Sequence, residues 1–515
     1  MLENAERGKK DMKRKIRRKI LSAMLIGTML TGIMQMAGSE ISVKAESSLD
    51  YVADREERLE KWYRSTRVGA MYHWGMPVGR ADMSNQQYEN YPYTETEYDE
   101  ELGALTIPEY DEELANIDVS QWVEQARLTG AGYITFASFH SCMGYIRPWH
   151  SDIPGFPETK RDFLQELIDE AHKYDIKVVV YMTTSLNHAQ DDVYDWYDGD
   201  AYVEYAKENH SEWIKEKYGR DLTEEEWDTT FDFERSSYGF GAFSFDEVEY
   251  LLNNYDIDGM WFDAHCNPTW HAEDTYPWYT FPYDGCRENC TNPSEHKQTY
   301  TYDAEGFAKY YFYKRDILQL VHDIDPDCVT FVNRYAPYIN ADVVGVEGHL
   351  LANSCDVIQP GYAESGHTEA MLMEGGTFDY SGDDNVTVDE ITITRQMVQC
   401  ALGGGAAALC TGPKIEENGF ASTVETFHEK LSEFRKWSAE SWYDQSVSVG
   451  YNIPDSYTSR QQENGAYVMA SKNETTDTHY LHILTKPSDG KTIIMKDSMQ
   501  PIESISDLHT GQNLE

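Results

Sequence analysis

The chain has 515 residues, with 43 Lys/Arg against 90 Asp/Glu, a formal net charge of −47 at neutral pH. A surface this acidic repels nucleic acid and anionic membranes, which excludes both as partners, and it disfavours polyanionic substrates. With 37 Tyr, 18 Phe and 12 Trp the chain carries too many core-forming side chains to be disordered, and its length allows one large domain and a smaller one.

Residues 1–45 have the order of an export signal. Lys9 to Lys19 is densely basic, Leu21 to Met36 is mostly apolar without charge, and Val43-Lys44-Ala45 resembles a small-x-small cleavage site. The apolar run is short and interrupted by Gly and Thr, so a cleaved signal is favoured over a signal anchor. The segment carries ten Lys/Arg and four Asp/Glu, and its removal leaves −53 on residues 46–515. The expectation is a secreted protein with no membrane attachment after cleavage.

From about residue 66 to 440, strand-like apolar runs alternate with helix-like periodic runs, the pattern of a parallel α/β barrel. Val68 to His73 is the first predicted strand. Ser120 is read as the cap of a helix through Leu128 that stops at Gly130. Gly132 to His140 is the second strand, followed by a helix from Arg161 to Tyr174 with Phe163, Leu164, Leu167, Ile168 and Ala171 on its inner face. Ile176 to Thr183 is the third strand, and residues 188–244 read as a polar insertion. A helix at 246–254 leads into the strand Asp258 to Phe262, with Asp263 at its end. Residues 265–303 hold few aliphatics and many Trp, Tyr, Pro and Cys, and read as a lid.

Further on, a helix is predicted from Ala304 to Ile324, a strand from Cys328 to Asn333, and short strands at Asp342 to Val346 and Asp356 to Gln359. Val388 to Leu402 is a helix, Ala406 to Cys410 a strand and Thr423 to Trp437 the last helix. After Trp442 short alternating runs such as Tyr467 to Ser471 and Tyr480 to Thr485 read as a small β-domain. The expected fold is therefore a (β/α)8-type TIM barrel over residues 46–440, followed at 441–515 by a small, incomplete β-sandwich-like domain. Cys266, Cys286 and Cys290 cluster in the lid, where a disulfide fits an oxidising compartment. The nearby His spacing matches no strong zinc template, so no metal or cofactor is expected. Cys328, Cys400 and Cys410 read as unpaired core thiols.

Polar or aromatic residues recur at the predicted strand ends: His73-Trp74-Gly75, Phe139-His140, Tyr181, Trp261-Phe262-Asp263, Asn333-Arg334 and, a little further, Glu347. The C-terminal strand ends of such a barrel carry its active site, and several such residues at one end are poorly explained by stability. Taken together these segments resemble glycoside hydrolase family 29, the α-L-fucosidases, over roughly residues 60–510. Arg67-Val-Gly-Ala-Met-Tyr-His73-Trp-Gly75 is similar to the family's first strand, Ala131 to His140 to its second, and Asp258-Gly-Met-Trp-Phe-Asp263 to its nucleophile strand. Phe331-Val-Asn-Arg334 resembles its arginine strand and Gly403 to Pro413 its last strand.

The resemblance implies roles. Asp263 would be the nucleophile of a retaining, exo-acting fucosidase, and Glu347 the general acid and then the general base, with Glu89 and Glu364 as alternative acids. His73, His140, Tyr181, Trp261 and Arg334 would bind the sugar of a fucosylated oligosaccharide or glycoconjugate. The chain departs from the family where Phe139-His140 stands for His-His and where Val-Asn333-Arg334 stands for Asn-Asp-Arg. Two other readings remain open: a barrel glycosidase for a galactoside or fucan, and a carbohydrate-binding protein with decayed catalysis.

Overall fold

The computed structural model describes residues 48–74, 111–112, 114–115, 117–140, 146–183, 198–232, 237–263, 317–333, 341–347, 367–375, 378, 387–402, 405–414, 418–443, 446–448, 465–473, 475–491 and 504–514. Eight parallel strands close a barrel in chain order: β1 (Val68–His73), β2 (Tyr133–Phe139), β3 (Lys177–Thr183), β4 (Gly259–Asp263), β5 (Val329–Asn333), β6 (Val343–Glu347), β7 (His367–Met373) and β8 (Ala406–Thr411). β8 closes onto β1 with Ala70 opposite Leu409. The α-helices among the described residues are α1 (Ser48–Lys61), α2 (Val119–Thr129), α3 (Phe163–Ala171), α4 (Gly199–Tyr218), α5 (Glu224–Phe231), α6 (Ser237–Asn254), α7 (Ile317–Ile324), α8 (Glu390–Leu402) and α9 (Ser422–Trp442).

Both faces of each strand are covered, which is why the strands read as continuous apolar runs. Met71, Tyr133, Val179, Trp261, Phe331 and Met371 belong to the cluster that fills the barrel. The alternate residues, such as Tyr72, Ile134, Val180, Phe262 and Leu372, pack outward against the helices. In α3 the five predicted inner residues are all buried. Burying each of its Phe, Leu and Ile side chains contributes about 1.5–3 kcal/mol.

Local signals set the helix ends. The cap of α2 is Asp118, not Ser120: the Asp118 side chain accepts from the Ser120 backbone N–H, placing a carboxylate at the positive end of the helix dipole. Gly130, at φ 84°, ends α2 in the left-handed region that glycine tolerates best.

The stretch 188–244, expected as a polar insertion, is largely helical where it is described. Asp198 caps α4, Gly219 ends it, and Thr223 with Glu226 forms a reciprocal capping box on α5. α6 begins at Ser237 rather than at 246, because Ala242, Phe243 and Phe245 are buried on the same helix despite the glycines before them. The seventh strand, His367–Met373, is one the sequence reading does not anticipate. The strand expected at Asp356 to Gln359, most of the helix expected from Ala304, the signal segment 1–45 and the lid 265–303 lie outside the described residues.

The end of α1 and the turn after it floor the barrel. Leu59, Trp62 and Tyr63 join the interior cluster. Trp62 and Tyr63 both lie against Tyr133 and Phe331, and the Tyr63 hydroxyl donates to Thr368 O. Residues Tyr51–Glu515 form one compact unit. Beyond α9 the chain forms a three-stranded antiparallel sheet of β9 (Ser446–Ser448), β10 (Tyr467–Asn473) and β11 (Thr478–Thr485), with β10 central, and a small pair, β12 (Ile505–Ser506) and β13 (Asn513–Leu514). Ser471 and Asn473 of β10 donate to the Ser441 and Glu440 carbonyls, so this sheet is tied to the last turn of α9. No helix among the described residues is long and apolar enough to cross a membrane. The side chains of Cys328, Cys400 and Cys410 are buried.

Candidate active site

The geometry starts from β3 and β4. Their register sets Tyr181 beside Trp261 and Thr183 beside Asp263, so Asp263 is the last strand residue at the C-terminal mouth. The Tyr181 hydroxyl donates to Asp263 Oδ2 at 2.5 Å. From β5, Asn333 Nδ2 donates to Oδ1 at 2.8 Å. His140 Nε2 stands 3.5 Å from Oδ2. Burial alone would push the Asp263 carboxyl towards its neutral form. The contacts from His140, Tyr181 and Asn333 outweigh that and hold its pKa below the usual carboxylate range. With 16 % of its side-chain surface exposed, Asp263 is an ionised carboxylate that a ligand can still reach.

A bulge in β2 delivers His140. Phe136 pairs with Val180, but Phe139 pairs with Met182, so β2 carries one residue more than β3 over that interval. Phe136 and Phe139 both pack into the outer layer, while Ala137 belongs to the barrel interior. The extra residue reverses the alternation. Phe139 turns out to meet Trp149, Phe156 and Phe243. His140 stacks on Tyr181 at 5.4 Å. The residue that departs from the family pattern, Phe139, is therefore buried in the outer layer.

His73 ends β1, is 6 % exposed, and lies 5.1 Å from Phe378 and 6.2 Å from Tyr181, ring centre to ring centre. Burial, and then the neighbouring His140, pushes its pKa down to about 3, so its imidazole is neutral near pH 7. Its Nδ1 is buried and finds no partner among the described residues. An orphaned buried polar atom beside an ionised carboxylate is an atom that a bound hydroxyl would satisfy.

Trp261 lies one layer deeper than the sequence suggests. It is 1 % exposed, stacks beneath Tyr181 at 5.0 Å and 16°, and donates its indole N–H to Glu369 Oε2 at 2.8 Å. Trp74 is likewise structural, buried between Trp122, Phe136 and Phe163. Glu347 closes β6, with Met371 opposite it on β7; its side chain lies outside the described residues. Arg334, Glu89, Glu364, Cys266, Cys286 and Cys290 also lie outside them. The site thus brings together His73, His140, Tyr181 and Asp263, and adds Asn333, a hydrogen-bond donor absent from the set the sequence proposes. Other buried carboxylates are engaged away from the site, among them Glu247 by Arg147 and Trp149, and Glu374 by His428. Among the described residues no group of His, Cys, Asp and Glu is placed to hold a metal ion.

A closed parallel barrel with an ionised aspartate, a neutral imidazole and a phenol at its C-terminal mouth is the framework of a barrel glycoside hydrolase. The model of the α-L-fucosidase family matches residues 35–440, and the chain belongs to that family. Among solved structures, it resembles an α-L-fucosidase from Bacteroides thetaiotaomicron trapped as a covalent intermediate with 2-fluoro-fucosyl fluoride. Identity is 14%, coverage 93% of this chain and 91% of that one, and the TM-score 0.53. It also resembles the Thermotoga maritima α-fucosidase in complex with a mechanism-based inhibitor, at 15% identity, 90% and 92% coverage and a TM-score of 0.53. At these identities the likeness establishes the fold. No curated protein sequence matches the chain.

Proposed function

We propose that this chain is a secreted, retaining α-L-fucosidase that releases terminal fucose from oligosaccharides or glycoconjugates. The observation that carries the reading is Asp263: a carboxylate kept ionised by three neighbours at the mouth of the barrel. Attack on an anomeric carbon requires an ionised, partly desolvated carboxylate of this kind. In the first step an Asp263 oxygen bonds to the sugar's anomeric carbon while Glu347, protonated, gives its proton to the departing glycosidic oxygen. In the second, Glu347 takes a proton from water, whose oxygen displaces Asp263.

Glu347 suits the partner role by position. It ends β6, two strands from β4. With neighbouring strands about 4.8 Å apart, the two backbones are roughly 10 Å apart. That backbone spacing is compatible with the carboxyl separation of about 5–5.5 Å that double displacement needs. His73, His140, Tyr181 and Arg334 form the sugar-binding set of this reading, and Trp261, expected in that set, supports Tyr181 from beneath. The covalent intermediate of the Bacteroides thetaiotaomicron structure supports the same route by analogy of fold.

A panel of 4-nitrophenyl glycosides tests the reading. Release from the α-L-fucoside alone is expected, with NMR detecting the α-anomer of fucose as the first product. Release from another sugar would reassign specificity, and release from none would leave a binding protein. Azide should partly rescue Glu347→Ala; rescue instead at Glu89→Ala or Glu364→Ala would move the acid role there. Secretion rests on the basic, apolar and small-residue order of residues 1–45. Sequencing of the exported protein should show a start just after Ala45, and an intact N-terminus would refute cleavage.

A further inference from the structure

Below the site the barrel holds a carboxyl group that the proposed reaction does not use. Glu369 is fully buried on β7. Its Oε1 accepts from the Tyr133 hydroxyl at 2.5 Å and its Oε2 from the Trp261 indole at 2.8 Å. A buried carboxyl is costly, and a well-packed apolar side chain of similar size is usually as stable or more so. Stability is therefore a poor reason for its presence.

What the carboxyl does supply is a fixed acceptor beneath the ring stack that leads to Asp263. The indole of Trp261 lies flat against Tyr181, and Tyr181 donates to Asp263. We propose that Glu369 is a positioning residue, anchoring the Trp261 indole so that the Tyr181 hydroxyl stays aligned on Asp263 through the reaction. This inference rests on the reading of Asp263 as the nucleophile.

Two features show a built layer rather than an accident of packing. A Cβ on Gly345 would lie 2.9 Å from Trp261 Cζ2, and one on Gly69 would lie 2.2 Å from Tyr133 Cζ. Both donors to Glu369 thus sit where only glycine leaves room. The link to Trp261 also survives a change of protonation. Burial pushes the Glu369 carboxyl up to about 7, against the hydrogen bonds from Tyr133 and Trp261 that lower it. The indole has no acceptor, whereas a tyrosine hydroxyl both donates and accepts. A proton on Glu369 is therefore placed on the Tyr133 side, and Oε2 goes on accepting from Trp261.

The test is steady-state kinetics on 4-nitrophenyl α-L-fucoside with variants checked for fold by circular dichroism and thermal melting. Glu369→Met keeps the volume but removes the acceptor, and its kcat should fall about tenfold to a hundredfold with KM within about twofold. Glu369→Gln still accepts from Trp261 and should recover most of that loss. In a Tyr181→Phe background, Glu369→Met should cost little more, because the hydroxyl it aligns is gone. A folded Glu369→Met with wild-type kcat, or one whose loss simply adds to that of Tyr181→Phe, overturns the proposal. If Glu369→Met does not fold, Trp261→Phe removes the same hydrogen bond while keeping a stacked ring, and wild-type kcat there overturns it equally. Asp263→Gly is the control: retained activity in that variant would sink the nucleophile reading itself, whereas loss there with intact Glu369 variants sinks only this inference.

Discussion

Tyr181 and Asp263 belong to neighbouring strands, and a 2.5 Å hydrogen bond from the phenol to Oδ2 joins them at the mouth of the barrel. The bond stabilises the ionised carboxylate, so removing it should raise the pKa of Asp263. Tyr181→Phe should therefore lower kcat/KM by about tenfold to a thousandfold. It should also move the acid limb of the pH profile to higher pH, since activity requires the ionised form. A pH–rate profile with an unmoved acid limb would show that the phenol does not tune this carboxylate.

Asp263→Gly should reduce turnover by roughly a thousandfold or more while the barrel stays folded. Added azide occupies the space left by the carboxylate and should restore fucose transfer, giving a fucosyl azide of inverted anomeric configuration. NMR of the product is the check, and an unassisted rate near wild type would mean that another group attacks the sugar.

Gly345→Ala should be disproportionately damaging for so small a change. The added methyl would lie 2.9 Å from the Trp261 ring, inside a filled barrel. Overpacking of this kind costs about 1–3 kcal/mol. A lowered melting temperature together with a lowered kcat is expected; an unchanged melt would show that the indole has room to shift.

Arg58 joins α1 to the barrel wall. Its guanidinium makes a buried bidentate pair with Asp342, 3.0 Å from Nε and 2.9 Å from Nη2, and Asp342 also meets His322 and Thr330. Arg58→Ala should destabilise the fold by about 3–5 kcal/mol, because it strands a buried charge. Burial opposes ionisation of Asp342, but His322 and Arg58 outweigh it and lower its pKa. A carboxylate with a depressed folded-state pKa stabilises fully above the ordinary Asp value near 4 and loses that contribution as pH falls through the lowered one. Denaturant melts of wild type and Arg58→Ala should thus differ most near neutral pH and converge in acid. A pH-independent gap would contradict the pairing.

The parts of this molecule that are legible in the sequence are those in which burial and residue type agree. Asp258-Gly-Met-Trp-Phe-Asp263 announces a short buried strand with a carboxylate at its end, and β4 runs from Gly259 to Asp263. Strand β7 is hidden for the opposite reason. Its first half, His367-Thr-Glu369, is polar and ends in a group that ordinarily stays in water, and the arrangement that makes Glu369 tolerable, a phenol and an indole from β2 and β4, is distant in the chain. The segment 199–231 is obscured by its charge, although Asp198, Gly219 and Thr223 are helix boundary residues in plain view. The depth of Trp261 depends on barrel register, which residue types do not encode. Asn333 is visible as the end of β5, but its role as a donor to Asp263 exists once β4 and β5 stand side by side.

The single extra residue in β2 separates spelling from presentation. Two adjacent side chains, Phe139 and His140, compete for one opening, and local chain length alone decides the winner. With every residue kept and the bulge flattened into strict alternation, Phe139 would turn to the opening and His140 to the outer layer, both residues unmutated. Which side chain faces the mouth of the barrel at this edge is therefore written in the spacing of β2 as well as in its residue types.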